Sequence, residues 1–115
     1  MTTIKQRRQE FKRKLTEAFR TLRRQRDYFA AQRFRCCQTC GCAAVPDKYA
    51  EHYVFYHAQD ADRLNAATTH EELDVYLSWA GDAGEIREVF ENAGCCVVHD
   101  GDPRRRIRVC ARPAN

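Results

Sequence analysis

The stretch LDVYLSWAGDAGEIREVFENAGCCVV (residues 73–98) decides the fold, because its hydrophobic period changes twice. Apolar side chains alternate in residues 73–80, which predicts a strand with one buried face. They recur every three or four positions in residues 81–94, which predicts a short helix that Asp82 caps and Gly94 ends. The run CCVV then returns to strand character. A strand–helix–strand unit is therefore predicted in the second half of the chain.

Two further strands are predicted on either side of this unit. RIRVCA (106–111) is expected to pair with residues 95–99 as a hairpin, because DGDP between them is turn sequence. EHYVFYHA (51–58) is rich in aromatic and β-branched residues, which are typical of strands. The order helix, cysteine turn, β, β, α, β, β predicts an α+β fold with a mostly antiparallel four-stranded sheet.

The first part of the chain, residues 1–34, predicts a long, basic, amphipathic helical arm. Its apolar residues recur at separations of three, four and seven, and charged and amide side chains cover the remaining surface. Thr3 and Gln6 fit a capping box, so the helix is expected to begin near Thr3. A break is favoured at residues 25–27, with residues 28–34 continuing as a short helical piece, because an unbroken helix would exceed the width of a small domain.

Length and composition predict one soluble domain, residues 1–115, in which residues 35–115 carry the cysteine turn and the sheet. A hydrophobic content of 43% excludes a disordered chain. No apolar run approaches the roughly 20 residues that a membrane span needs, so no membrane contact is predicted. Seven cysteines are an odd number, and the N-terminus lacks the apolar core of a secretory signal. The reducing cytoplasm, with free or metal-bound thiols, is therefore the predicted location.

Charge is strongly segregated along the sequence. Residues 1–35 carry a net charge of +9, residues 36–102 carry −10 and residues 103–115 carry +5. The basic ends either pair with the acidic middle or form a surface for nucleic acid or for an acidic protein partner. The predicted contacts with nucleic acid are Arg20, Arg23, Arg24, Arg26, Arg104, Arg105 and Arg106. The sequence leaves the oligomeric state open.

The stretch RFRCCQTCGC (33–42) places four cysteines in seven positions. Cys37 and Cys40 have the C-x-x-C-G spacing of half a zinc site, in which two thiolates bind one ion at about 2.3 Å each. Gly41 after the second cysteine permits a tight turn. No second pair of this kind follows, so other ligands must come from elsewhere, and His57 is the strongest candidate. The weaker candidates are His52, Cys36, Cys42, Asp60 and the Cys95–Cys96 pair.

Three other interpretations of the cysteines stay open. They could be small buried apolar residues, as is predicted for the cysteines in the strands. A redox C-x-x-C normally follows a strand and opens a helix, whereas this one is predicted to follow a helix and precede a proline-containing loop. Finally, Cys37 could be the nucleophile of a small enzyme, with His57 as its base and Asp60 as the orienting carboxylate. The sequence does not decide whether the protein is an enzyme.

Four stretches are informative as a set: CCQTCG (36–41), VFYHAQD (54–60), LSWAGD (77–82) and HDGDPRRRIRV (99–109). Together they resemble a family of small uncharacterised proteins of bacteria and their phages, classed as a domain of unknown function. The family pattern joins a basic helix, a CC-x-T-C turn, an FYH-x-QD strand and a DG…RI-x-V hairpin. The resemblance implies a grouping of Cys37, Cys40, His57 and Asp60 but no reaction. The sequence thus predicts a binding or accessory module with a candidate zinc site.

Overall fold

A computed structural model describes residues 2–112. The prediction of an α+β fold that begins with a long helix is confirmed. The elements are, in chain order, α1 (Ile4–Gln25), β1 (Phe29–Ala31), α2 (Gln38–Ala44), β2 (Tyr53–Phe55), α3 (Ala58–Asn65), β3 (Asp74–Ala80), α4 (Ala83–Asn92), β4 (Cys95–Val98) and β5 (Ile107–Ala111). Residue 1 and residues 113–115, which the predicted domain of 1–115 includes, lie outside the described residues.

The sheet has five strands in the order β1-β2-β3-β5-β4. β1 runs parallel to β2, and the other three neighbouring pairs are antiparallel. The prediction of a mostly antiparallel sheet is therefore confirmed, as is the hairpin of the last two strands. The prediction of four strands is wrong, because β1 adds a fifth strand at one edge.

Residues 28–34 contain β1 instead of the predicted helical piece. α1 ends at Gln25, within the predicted break. Asp27 then adopts a positive φ of 59°, a left-handed conformation that directs the chain out of the helix. The backbone N–H of Phe29 donates to the carbonyl of His52 at 3.0 Å, which begins the pairing with β2. Hydrogen bonding to a distant segment thus overrides the local helical preference.

α1 begins with the predicted capping box and packs along the sheet. Thr3 Oγ1 accepts the N–H of Gln6 at 3.1 Å, and Gln6 Oε1 accepts the N–H of Thr3 at 2.9 Å. The buried residues of the helix are Phe11, Leu15, Ala18, Phe19 and Leu22. The rings of Phe19 and Phe90 of α4 meet edge to face, with centroids 5.5 Å apart. α1 therefore covers the core together with α4.

β2 is shorter than the strand predicted over residues 51–58. The chain turns after Tyr56 into α3, which is longer than the single helical turn that the polar stretch of residues 59–72 predicts. His57 precedes the first residue of α3, and its Nδ1 accepts the N–H of Asp60 at 3.3 Å. Histidine is not among the residues that usually begin a helix, so the sequence contains no clear start signal here.

Helices cover the two faces of the sheet to different extents. As predicted, Leu73, Val75, Leu77 and Trp79 share one face, which forms the core with α1 and α4. Tyr76 and Ser78 lie on the opposite face. That face is covered over β2 by α2, but over β5 and β4 it carries half-buried and exposed residues, including Val98. Among the described residues, no helix is both long and apolar enough to cross a membrane.

Candidate metal centre

The cysteine stretch forms the start of α2, an element that follows β1. Cys37 immediately precedes the helix, and Cys40 lies three residues further on, on the same side of its first turn. The sulfur atoms of Cys36, Cys37 and Cys40 all lie within 4.8 Å of one another. The Cys36 and Cys37 sulfurs are 3.9 Å apart. The fold therefore groups Cys37 and Cys40, the predicted half site, with Cys36, which the sequence indicated only as a weaker candidate.

These three sulfurs have nearly the separation that metal binding requires. Thiolates bound tetrahedrally to one zinc ion, at about 2.3 Å each, lie about 3.8 Å apart. Small side-chain movements would close the remaining gap, because Cys36 and Cys40 are exposed and Cys37 is half-buried. The three cysteines could therefore hold a metal ion, and the exposed location would leave a fourth ligand position accessible to solvent.

The three thiols do not ionise alike. The backbone N–H of Cys40 lowers the pKa of Cys37, although it does not form a full capping hydrogen bond, and the neighbouring thiols of Cys40 and Cys36 lower it further. Hydrogen bonding to the Cys36 and Cys37 sulfurs raises the pKa of Cys40 to about 11. Cys37 is therefore a thiolate at lower pH than Cys40. Since metal binding must displace the Cys40 proton, it is expected to weaken as pH falls.

Gly41 has a different role from the predicted one. It lies inside α2, is buried, and its backbone does not require a left-handed conformation. A Cβ atom at this position would lie 2.6 Å from Cζ of Phe55. The ring of Phe55 is held in turn by Phe34 and Tyr53, with centroids 5.4 and 5.8 Å away. Gly41 thus permits α2 to approach β2 closely, which fixes the position of the cysteines.

The backbone beside His57 contacts this corner of the fold, but neither His57 nor Asp60 is a member of the sulfur group. The N–H of Ala58 donates to the carbonyl of Arg35 at 2.9 Å, which joins the residue after His57 to the residue before Cys36. The Nδ1 atom of His57 accepts the N–H of Asp60, so only Nε2 is left for another ligand. The assignment of His57 as a metal ligand stays a prediction.

The carboxylate of Asp60 has structural partners on both oxygens. Oδ2 accepts the backbone N–H of Tyr76 in β3 at 3.0 Å. The neighbouring strand β2 ends at Phe55, opposite Ser78, so it supplies no acceptor for Tyr76. Oδ1 lies 3.4 Å from Nη1 of Arg63, which also contacts Asp74 at 2.9 Å. Asp74 completes the network by accepting from Arg108 at 2.8 Å. Asp60 as a metal ligand stays a prediction, and these contacts leave neither oxygen without a partner.

The remaining ligand candidates lie apart from the three-cysteine group. Cys42 is exposed on α2 beside Tyr53. His52 stacks on the ring of Tyr28, with centroids 4.3 Å apart. Cys95 is fully buried, as predicted for a small apolar residue, and burial raises its pKa to about 12. Cys96 and Cys110 are half-buried in their strands.

The arginines predicted to contact nucleic acid lie in two places, four on α1 or directly after it and three in the loop before β5, and two of the first four are occupied by contacts within the fold. Arg23 donates to the carbonyl of Ala30 at 3.1 Å, and Arg26 contacts two glutamates of α4 at 3.3 and 3.4 Å, so both tie α1 to the fold. Arg20 and Arg24 are exposed on α1. The other three, Arg104, Arg105 and Arg106, are exposed in the loop before β5. Their contact with nucleic acid stays a prediction.

Ser78, which no sequence pattern marks as a site residue, has an unusual environment. The side chain is buried in β3, and within residues 2–112 its hydroxyl has no hydrogen-bond partner. The only signal in the sequence is one hydroxyl among the apolar residues LSWA, which is too common to indicate a site.

Comparison with known proteins identifies the family and no individual relative. No curated protein and no solved structure matches the chain. A family model described as a domain of unknown function, DUF6891, matches residues 6–112. This match covers nearly the whole chain and confirms the resemblance to such a family. The chain therefore belongs to the DUF6891 family, a domain of unknown function.

Proposed function

We propose that this protein is a metal-binding module in which the thiolates of Cys36, Cys37 and Cys40 hold one zinc ion. The observation that supports this proposal is the approach of three sulfurs to within 4.8 Å of one another at one exposed corner. Thiolates favour zinc and other soft cations over magnesium or calcium, which prefer oxygen ligands. The family match is compatible with this role but names no activity.

The fourth ligand decides which kind of zinc site this is. Structural zinc sites are usually closed by four protein ligands, whereas three protein ligands leave a position for water or a bound partner. His57 could close the site only through Nε2, because its Nδ1 already accepts a hydrogen bond. We favour the open form, since Cys36 and Cys40 are exposed to solvent.

Metal analysis of the purified protein tests this proposal. Protein prepared without chelators and supplied with zinc is expected to hold about one ion per chain. Cys37→Ser and Cys40→Ser should each weaken zinc binding at least about a hundredfold, because each removes one of three thiolates. Cys42→Ser, an exposed thiol of the same helix outside the group, is the matched control and should bind zinc normally.

A further variant reports on the fourth ligand. His57→Asn removes the imidazole but keeps a side chain that begins helices well. If this variant binds zinc as tightly as the natural protein, His57 is not a ligand. Zinc below about a tenth of an ion per chain, or equal losses in Cys42→Ser and Cys37→Ser, would contradict the three-thiolate site.

Thiol–disulfide exchange is a second candidate function, favoured by the position of the C-x-x-C segment. The structure shows that Cys37 follows β1 and opens α2, the setting that the sequence analysis considered absent. The Cys37 thiolate would attack a disulfide of a partner, form a mixed disulfide and release one partner thiolate. Cys40, once deprotonated, would then attack the Cys37 sulfur and release the second. The partner disulfide is thereby reduced, and Cys37 and Cys40 are oxidised to a disulfide.

Alkylation at different pH values tests this second function. Because the pKa of Cys37 is lowered and that of Cys40 is raised, iodoacetamide should modify Cys37 at lower pH than Cys40. Mass spectrometry of peptides labelled between about pH 6 and 10 measures the order. With oxidised glutathione, Cys40→Ser should stop at the mixed disulfide. Equal labelling rates of Cys37 and Cys42 would contradict an activated thiol.

The predicted partner and location belong to the same proposal. Arg20 and Arg24 remain exposed on α1 and support contact with nucleic acid or an acidic protein, whereas Arg23 and Arg26 are occupied within the fold. Titration with a short single-stranded oligonucleotide tests this contact, and Arg24→Gln should weaken the binding. The odd number of cysteines supports the proposal of a cytoplasmic location, because a reducing compartment keeps thiols free or metal-bound. The small-enzyme alternative has less support, because His57 Nδ1 and both carboxylate oxygens of Asp60 have structural partners.

A further inference from the structure

A small cavity lies on the less covered face of the sheet, beside the loop that joins β4 to β5. Its volume is about 120 Å³. The polar residues that line it are Gln38, Tyr53, Ser78, Arg104, Arg105 and Arg106. Pockets that enclose drug-sized ligands measure about 300–1,000 Å³, so this cavity admits one compact group.

The hydroxyl of Ser78 is the unusual feature of this cavity. Ser78 is only 3% exposed, and in the described part of the chain its Oγ has no hydrogen-bond partner. It lies opposite Phe55 of β2, and on β3 it follows Leu77, which pairs with Ile107 of β5. Buried hydroxyls normally have a partner. A ligand that enters the cavity and displaces the side chains over this hydroxyl would supply the missing partner.

The charge of the cavity favours an anion. None of the described residues that line it is acidic. Asp102 neutralises part of the charge from outside, since it contacts Arg104 at 3.2 Å and Arg105 at 3.7 Å. Asp100 also contacts Arg105 at 3.7 Å. Arg106 has no carboxylate partner among residues 2–112, and its guanidinium lies over the Tyr76 ring, 5.2 Å from the centroid.

The loop that carries these arginines is anchored before any ligand binds. Trp79 Nε1 donates to the carbonyl of Arg105 at 2.8 Å. His99 accepts the N–H of Gly101 through Nδ1 at 3.0 Å, so its Nε2 carries the proton and donates to the same carbonyl at 3.1 Å. An anchored loop loses little conformational entropy when it binds a ligand.

We propose that this cavity binds the phosphate group of a small phosphorylated molecule. Guanidinium groups suit the several acceptor oxygens of phosphate, and the hydroxyls of Ser78 and Tyr53 add donors from the sheet. An adjoining cavity of about 430 Å³ shares Arg105 and Arg106 and is lined by Tyr76 and the exposed Val98. This second cavity has room for the rest of the phosphorylated molecule. We predict that the part of the ligand bound there is apolar. The proposal does not depend on metal binding.

Tryptophan fluorescence gives a direct test, because Trp79, the only tryptophan of the chain, contacts the arginine loop through its Nε1 hydrogen bond to Arg105. Inorganic phosphate and phenyl phosphate should both change the emission and saturate. Phenyl phosphate should bind about tenfold more tightly, because its ring can cover Val98. Arg106→Gln should weaken both ligands at least about tenfold. Arg13→Gln, an exposed arginine of α1 outside every proposed site, is the matched control and should change neither affinity.

The Ser78→Ala variant distinguishes a loss of phosphate affinity from a loss of stability. In the free protein this variant should be as stable as the natural one or more so, because it removes an unpartnered buried hydroxyl. Its affinity for phosphate should nevertheless fall about tenfold. Unchanged affinity in Ser78→Ala, or no saturation by either ligand up to about 100 mM, would overturn the proposal. Cys37→Ser should bind phosphate normally, so failure of the metal site and failure of this site are distinguishable.

Titration with a short single-stranded oligonucleotide distinguishes binding at this cavity from binding at the exposed arginines of α1, Arg20 and Arg24. If α1 contacts nucleic acid, Arg24→Gln should weaken oligonucleotide binding and Ser78→Ala should leave it unchanged. No oligonucleotide binding at low salt would contradict the nucleic-acid surface and leave the cavity proposal standing on the phosphate titrations. Oligonucleotide binding that requires Arg106 and Ser78, without binding of phenyl phosphate, would overturn the small-molecule proposal.

Discussion

Gly41→Val should lower the free energy of unfolding by about 3 kcal/mol, because added side-chain atoms cannot fit between α2 and β2. A Cβ atom at this position would lie 2.6 Å from Cζ and 3.2 Å from Cδ1 of Phe55. The Phe55 ring is fully buried and contacts Phe34 and Tyr53, so it has little room to move. Urea denaturation, followed by circular dichroism, measures the change.

Two controls assign this loss to the contact with Phe55. Ala43→Val places the same β-branched residue at an exposed position of α2 and should cost less than about 1 kcal/mol. In a Phe55→Ala background the ring is absent, so Gly41→Val should cost at least about 1 kcal/mol less than in the natural protein. Additive effects of the two substitutions would show that the helix does not meet the sheet through this ring.

Asp60→Ala should lower the free energy of unfolding by about 2–3 kcal/mol, because it leaves a backbone donor of β3 without its acceptor. The carboxylate accepts the N–H of Tyr76 at 3.0 Å and lies 3.4 Å from Arg63. Asp60→Asn keeps an oxygen that can accept from Tyr76, so it should cost only about 1 kcal/mol. Arg63 retains Asp74 as a partner in both variants and is not left as an unpaired charge.

Asp62→Ala is the matched control on the same helix. Its exposed carboxylate pairs with the exposed side chain of Arg33 at 3.0 Å, and pairs of this kind contribute less than about 1 kcal/mol. Thermal unfolding of the three variants should therefore rank them Asp60→Ala, Asp60→Asn and Asp62→Ala, from the largest loss to the smallest. If Asp60→Ala instead kept full stability and lost zinc, Asp60 would be a metal ligand and its structural role would be refuted.

The sequence predicted those elements whose burial follows a simple period. β3 alternates over seven residues, and α4 carries a capping Asp82 and a closing Gly94, so both were found. β1 has only three residues, of which two are alanines, and its pairing partner is more than twenty residues away. α3 begins at a histidine in a stretch that resembles a turn. A contact distant in the sequence decides β1, and α3 starts from a local histidine cap that is not a usual start signal.

The candidate site was predictable to the same extent. The spacing of Cys37 and Cys40 predicted that their sulfurs could reach one ion, and in the structure these sulfurs lie within 4.8 Å of each other. Residues three apart share one side of a helical turn. Gly41 was assigned to a tight turn, since the proximity of Phe55 cannot be seen in the sequence. The use of His57 Nδ1 by the backbone of α3 depends on the start of a helix at Ala58, whereas His57 was predicted to lie in a strand. Ser78 becomes notable only through the absence of a partner, which is a property of the folded chain.

The position of α1 has a consequence for synthesis of the protein. This first helix packs against β4 and β5, which are the last strands of the chain. Because translation proceeds from the N-terminus, the apolar side of α1 leaves the ribosome long before the strands that cover it. The domain should therefore complete its fold only after β4 and β5 have left the ribosome, and until then the apolar side of α1 has no cover from them.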